Sequence, residues 1–183
     1  MRLIVIEKTD EQLMNLVKKG DLNKASTLFD RYHVKMYNYF FRMNYNREIS
    51  QDLTQNTFHR MLKYRASFNN HLSFKSWLYK IARNVFNDSI SENKIQFEKI
   101  EHQISEIGFT ENEQTKKADL EALDIALLKL SNEQREIISM SRFQDIKYQE
   151  IAEILEISVP SVKVKMHRAM KKLREHYFEE DKR

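Results

Sequence analysis

The sequence predicts an all-α protein of two small helical domains joined by a linker, on three observations. Turn formers are scarce: 183 residues hold two glycines and one proline, where roughly 7 % and 5 % are usual, so sheets and hairpins lack their turns. Apolar residues recur at helical spacings of three and four along most of the chain. Between about residues 92 and 115 that pattern thins into a polar, acidic stretch, which divides the chain. The boundaries follow as 1–91, a linker over 92–119, and 120–183.

Thr9-Asp10-Glu11-Gln12 reads as a capping box that opens a first helix. Leu13, Leu16 and Val17 give it an apolar side, and Gly20 is its natural stop. A second helix is predicted over 22–43, carrying Leu28, Phe29, Tyr32, Met36, Tyr39 and Phe40 at helical spacings. Residues 44–46 form a break. A third helix covers 47–64, and a loop over 65–73 leads to a fourth over 74–90. In the linker, Phe97, Ile100, Ile104 and Ile107 step by three, four and three, which allows a short amphipathic helix. Helical pattern resumes near Ala118 and continues to Leu130. Ser131-x-x-Gln134 is a second capping box, opening a helix through about Arg142. Two further helices are predicted over 148–155 and 159–177.

Composition excludes several functions. The absence of cysteine removes disulfides, thiolate metal sites and cysteine nucleophiles, and fits a reducing cytoplasm. The opening residues, Met1 to Ile6, are too short and too soon acidic for a signal peptide. No apolar run approaches the ~20 residues that span a bilayer. Two glycines cannot build a phosphate-cradling loop. His33, His59, His71, His102, His167 and His176 include no i,i+4 pair for a metal. No cofactor, metal or catalytic residue is expected.

Charge points elsewhere. Residues 1–92 carry 15 basic and 9 acidic side chains, residues 93–122 carry 4 and 7, and residues 123–183 carry 12 and 11. In the last segment the basic groups cluster. From Val159 to Arg174 there are six Lys or Arg and no acid. Val162, Met166, Ala169 and Leu173 step by four, three and four and form one core stripe. Lys163, His167, Lys171 and Arg174 lie along an exposed face, with Arg168 and Lys172 beside it. Ser158 is a plausible N-cap, and Pro160 sits in the first turn, where a missing N–H costs nothing. A short helix, a three-residue turn and a longer basic helix make the helix-turn-helix plan, whose second helix enters the major groove. The bland alternative is a helical hairpin with a charged outer face.

The N-terminal helices carry weaker signals. On the third, Asp52, Gln55, Asn56 and His59 share one face, with Leu53, Thr57, Phe58 and Met61 on the other. On the fourth, Phe74, Trp77, Leu78, Ile81 and Val85 are the apolar stripe, and Lys80, Arg83, Asn84 and Asn87 the polar one. Positive and amide groups together suit phosphates and base edges. The loop before it holds Phe68, Asn69, Asn70 and His71, a set that could stack on an unstacked base. Aromatics such as Phe68 and Trp77 are more often core than base contacts.

These residues resemble the sigma-70 family of RNA polymerase sigma factors, in its extracytoplasmic-function subfamily. Phe74-Lys-Ser-Trp77-Leu78-Tyr-Lys-Ile81-Ala82-Arg83-Asn84, with Asp88 four further on, resembles the family's promoter-melting helix. Asp52-Leu53-x-Gln55-x-Thr57-Phe58 resembles its polymerase-binding helix. Leu130-Ser131-x-Glu133-Gln134-Arg135-Glu136-Ile137, Tyr148-x-Glu150-Ile151-Ala152 and Ile157-Ser158-Val159-x-Ser161-Val162-Lys163-x-Lys165-x-His167-Arg168-Ala169 resemble its C-terminal domain.

The resemblance implies a transcription initiation factor of two domains, sigma region 2 over 1–91 and a helix-turn-helix region 4 over 120–183. The first would bind core RNA polymerase through Asp52, Gln55 and Phe58. It would melt and read the minus-ten element through Phe68, His71, Trp77, Lys80, Arg83, Asn84 and Asn87. The second would read the minus-thirty-five element of promoter DNA through Ser161, Lys163, His167 and Arg168, with Lys165, Lys171 and Lys172 on phosphates. The acidic linker would thread towards the RNA exit path. An anti-sigma protein is the implied inhibitory partner. The sequence departs from the family pattern at Asn56, where glutamate is usual, and at Ser89-Ile90-Ser91-Glu92, where a basic run is usual. Glu156 stands where glycine is common, Lys147 where an N-cap serine is common, and Pro160 where a small residue is expected. A stand-alone helix-turn-helix regulator that binds duplex DNA unaided remains an alternative, as does a protein adaptor whose basic helix faces an acidic partner.

Overall fold

The computed structural model describes residues 8–69, 73–92 and 114–180, the side chains of 114–118 and 180 excepted. Among the described residues there are eight α-helices and no strand. α1 (Asp10–Lys18), α2 (Asn23–Asn44), α3 (Arg47–Lys63) and α4 (Phe74–Ser91) pack as a first bundle. α5 (Gln114–Leu128), α6 (Asn132–Ile138), α7 (Tyr148–Leu155) and α8 (Val159–Glu180) pack as a second, with α8 touching the other three. The all-α, two-bundle expectation holds. α5 begins at Gln114, inside the stretch read as linker, because Gln114-Thr-Lys-Lys117 holds no apolar residue by which periodicity could show a turn. The amphipathic helix expected around Phe97–Ile107 lies outside the described residues.

Local chemistry sets the element ends. Both capping boxes form: Thr9 Oγ1 accepts from the Gln12 amide at 3.3 Å and Gln12 Oε1 from the Thr9 amide at 3.1 Å; Ser131 and Gln134 repeat the exchange. Past α1, Gly20 takes φ 106°, a conformation that a side chain would strain. The break at 44–46 is a left-handed Tyr45, φ 51°. It is held because Asn44 Oδ1 accepts from the Asn46 amide at 2.6 Å and Asn46 Oδ1 from the Ile49 amide at 2.9 Å, capping α3. Ser73 caps α4 by accepting from the Ser76 amide, and Glu11 of α1 accepts from the Phe74 amide at 3.0 Å.

In the second bundle, α6 widens into a π turn over Ser139–Phe143, closed by Gln144 N–H donating to the Ser139 carbonyl at 3.1 Å. Lys147 supplies no serine-like cap, and Glu150 Oε2 accepts from the Lys147 amide instead. α7 ends at Glu156 in the left-handed region, φ 57°, where glycine would be unstrained. Ser158 Oγ then accepts from the Ser161 amide at 3.3 Å and caps α8.

The two bundles share one apolar cluster. α4 lies on α7, and α2 on α6 and the π turn. Polar pairs stud the seam. Tyr79 hydroxyl donates to Gln144 Oε1 at 2.8 Å, and Lys75 Nζ to the carbonyls of Gln144 and Asp145 at 3.2 and 3.1 Å. Arg42 pairs with Asp124, which also accepts from Tyr45 hydroxyl at 2.9 Å. Arg135 is the keystone. Its guanidinium donates to the carbonyls of Leu127, Leu128 and Leu130 at the end of α5, and across the seam to the Met43 carbonyl at 2.7 Å. Burial pulls its pKa down to about 10, which leaves it charged at neutral pH.

Candidate nucleic-acid interface

α8 has two opposed faces. Val162, Met166, Ala169 and Leu173 are buried, as their spacing predicts. Opposite them Lys163, His167, Arg168 and Lys171 are exposed and make no ion pair with a described residue. Lys163, His167, Lys171 and Arg174 line one side of an open cleft of about 630 Å³. Arg142, from the end of the π turn, and Tyr148, at the start of α7, line the other. Arg142 was missed by sequence reasoning. It precedes Lys163 by two elements, and no periodicity links them. The remaining cations are partly engaged: Lys165 with Glu133 at 3.0 Å and Lys172 with Glu175 at 3.2 Å. Ser161 is half-buried beside Ser158, with their hydroxyls 2.8 Å apart. A helix with a dry inner stripe and a rim of unneutralised cations can lie in a groove lined by phosphates.

On α4 the expected polar stripe splits. Asn84 and Asn87 are exposed. Lys80 and Arg83 reach across the seam instead. Lys80 pairs with Glu156, and Arg83 Nε lies 3.2 Å from Glu136 Oε1. The Lys80 ammonium holds the Glu156 carboxyl below its ordinary range. Two expected minus-ten residues are core side chains here. Phe68 is fully buried, and its ring meets Phe74 and Trp77 edge-on at centroid distances of 6.3 and 5.3 Å. Trp77 is 9 % exposed. Trp77 belongs to the apolar stripe of α4 and Phe68, from the segment before the helix, packs on it, so stacking on a base would require both to leave the core. His71 lies outside the described residues.

On α3, Asp52, Gln55, Asn56 and His59 are exposed along one face, as the spacing predicts. Phe58 is not. It is 6 % exposed and supports the ring of Phe29, 4.8 Å away and edge-on. Phe29, 42 % exposed, is the aromatic that α2 presents beside this face. Its outward position follows from Phe58 taking the core site on the neighbouring helix.

Glu136, like Asp124, is a buried acid of the seam, accepting from Tyr39 hydroxyl at 3.1 Å as well as from Arg83. Burial pushes its carboxyl above the ordinary range, against the opposing pull of Arg83 and of the Tyr39 hydroxyl. Between about pH 4.3, where the unfolded chain titrates, and the raised folded value, the folded protein keeps a proton that the unfolded chain has lost. Over that window the folded state binds more protons, so stability falls as pH rises. The thermal midpoint should decline with pH through the window more steeply in the wild type than in Glu136→Gln. Parallel profiles would contradict this account of Glu136.

Known proteins match this architecture. The family Sigma-70 region 2 matches residues 28–95, and Sigma-70, region 4 matches residues 120–173. The RNA polymerase sigma factor YlaC of Bacillus subtilis is 34 % identical over 154 residues, covering 81 % of this chain and 89 % of that protein. This chain belongs to the sigma-70 family. Within it the chain falls in the extracytoplasmic-function group. The ECF RNA polymerase sigma factor SigW of Bacillus subtilis is 29 % identical over 170 residues, covering 86 % and 91 % of the two chains. CnrH, solved in complex with the cytosolic domain of CnrY, shares the fold at 21 % identity and a TM-score of 0.70, over 91 % of this chain and 96 % of that one. So does the sigma factor RpoE of Bartonella quintana, solved with the anti-sigma factor NepR, at 24 % identity and a TM-score of 0.65, over 82 % and 94 %. The sigma factor described here is a promoter-specific initiation factor and not an enzyme, and the stand-alone regulator is not favoured.

Proposed function

We propose that the two bundles divide the promoter between them, with residues 1–91 reading the minus-ten element, 120–183 the minus-thirty-five element, and 92–119 joining them. The observation that carries this reading is the face of α8, where Lys163, His167, Arg168 and Lys171 are exposed over a buried core stripe. Lys163, His167 and Arg168 reach base edges, with Ser161 beside them. Lys171, Arg174 and Arg142 line the cleft and hold phosphates, and Lys165 and Lys172 join them by exchanging a surface acid for a phosphate, at small cost. Asp52 and Gln55, with Phe29 in the place expected for Phe58, meet core polymerase.

For the minus-ten element, Asn84 and Asn87 are presented for contact, and Lys80 and Arg83 join them once Glu156 and Glu136 let go. The seam must therefore part before α4 meets DNA. That step suits a factor that engages promoters only with polymerase. We assign an anti-sigma protein as the inhibitory partner, by likeness to RpoE, which was solved with the anti-sigma factor NepR. A purified factor that is fully active and brings no cellular protein with it would remove this partner. No helix of the described residues is long and apolar enough to cross a membrane, and the cytoplasm, where RNA polymerase works, is the compartment assigned. Mobility shifts of promoter DNA test the division. Core polymerase with the factor should bind sequence-specifically and the factor alone weakly, with affinity falling steeply as salt rises. Tight duplex binding by the factor alone would contradict it.

A further inference from the structure

The basic face of α8 has an apolar centre. Val164 is 49 % exposed, between Lys163 and Lys165 and one turn before Arg168. At 100° per residue it stands about 200° round the helix from Val162, directly away from the core stripe. It belongs neither to the core cluster nor to the side chains packed partly against it. Helix formation does not ask for it either, since a β-branched residue loses rotamer freedom in a helix. An exposed valine elsewhere on a surface needs no explanation. Here it is the sixth residue of α8, in the N-terminal half that faces base edges in a helix-turn-helix. The major groove offers one apolar group, the C5-methyl of thymine, and apolar side chains are its match.

We propose that Val164 reads a thymine of the upstream promoter element by packing its methyl groups on the C5-methyl of that base. This rests on the reading that α8 enters the major groove. Lys163 and Arg168 fix the helix from either side, and Val164 supplies selectivity at one base pair. Deoxyuridine keeps every hydrogen bond of thymidine and lacks only that methyl, so it isolates the contact.

The test uses core polymerase with the full-length factor on a duplex carrying the mapped upstream element, each thymine replaced singly by deoxyuridine. Wild type should lose about fourfold in affinity at one position, the value of burying one methyl-sized group. Val164→Ala should bind the unsubstituted element with a similar loss and show no further response to deoxyuridine there. An upstream element without thymine, or wild type and Val164→Ala responding alike at every position, overturns the proposal. Lys163→Ala/Arg168→Ala separates the two levels. If it abolishes use of the upstream element while Val164 shows no coupling, α8 still enters the groove and Val164 does not read the base. If it changes nothing, the groove reading itself falls, and this proposal with it.

Discussion

Replacing Lys163 and Arg168 together by alanine should remove about two orders of magnitude of initiation at promoters that depend on an upstream element. Each side chain is exposed on α8 and has no acidic partner among the described residues, so its charge is available to DNA without breaking another pair. A side chain that bonds a base edge well contributes about 1–3 kcal/mol of discrimination, and loss of a phosphate contact also flattens the salt dependence. Two such losses at roughly 1.4 kcal/mol each give the hundredfold effect. The measurement is run-off initiation on promoters with and without the upstream element. The double variant should fail on the first and work normally on any promoter read through the minus-ten element alone. Equal loss on both would point to misfolding of the second bundle. The bundle's core does not include either side chain, so its unfolding midpoint should be unchanged.

The largest effect on stability should come from Arg135. It is 3 % exposed and donates to four backbone carbonyls on both sides of the seam. Arg135→Met fills similar space and removes the side-chain donor from all four carbonyls, of which Leu127 keeps the Leu130 amide. Each unmade bond of this kind costs about 1–3 kcal/mol, and several are lost together. A loss of about 3 kcal/mol or more is expected in denaturant unfolding. Arg135→Lys should recover little, because a single ammonium cannot span the end of α5 and the Met43 carbonyl together. A change below about 1 kcal/mol for Arg135→Met would mean that water or a neighbour satisfies the carbonyls.

Local chemistry was legible in the sequence. Both capping boxes, the stop at Gly20, the bounds of α7 and the core stripe of α8 depend on residues within four positions of one another. Periodicity also placed Phe58 and Trp77 on apolar faces, and Phe68, in the loop before α4, reads as core more readily than as a base contact. Resemblance assigned the same three to binding, and the fold buries them, because their rings fill space between packed helices. What the sequence could not show lies between the bundles. Arg83 and Glu136 are separated by 53 residues, and Lys80 and Glu156 by 76. Nothing in the spacing of either marks the other as its partner. The basic stripe on α4 therefore reads as open to DNA, while the fold turns Lys80 and Arg83 towards acids of the second bundle. The cleft beside α8 was half legible, since Lys163, His167, Lys171 and Arg174 share a helix face and Arg142 arrives from another element.

The measurement that bears most directly on the central claim is run-off transcription by bacterial core polymerase on a pool of random promoter fragments, with and without the sigma factor. The account predicts new start sites that depend on the protein. Their alignment should show two conserved elements, the upstream one lost with Lys163→Ala/Arg168→Ala and the downstream one with Asn84→Ala/Asn87→Ala. An absence of factor-dependent starts, together with duplex binding by the protein alone, would contradict it.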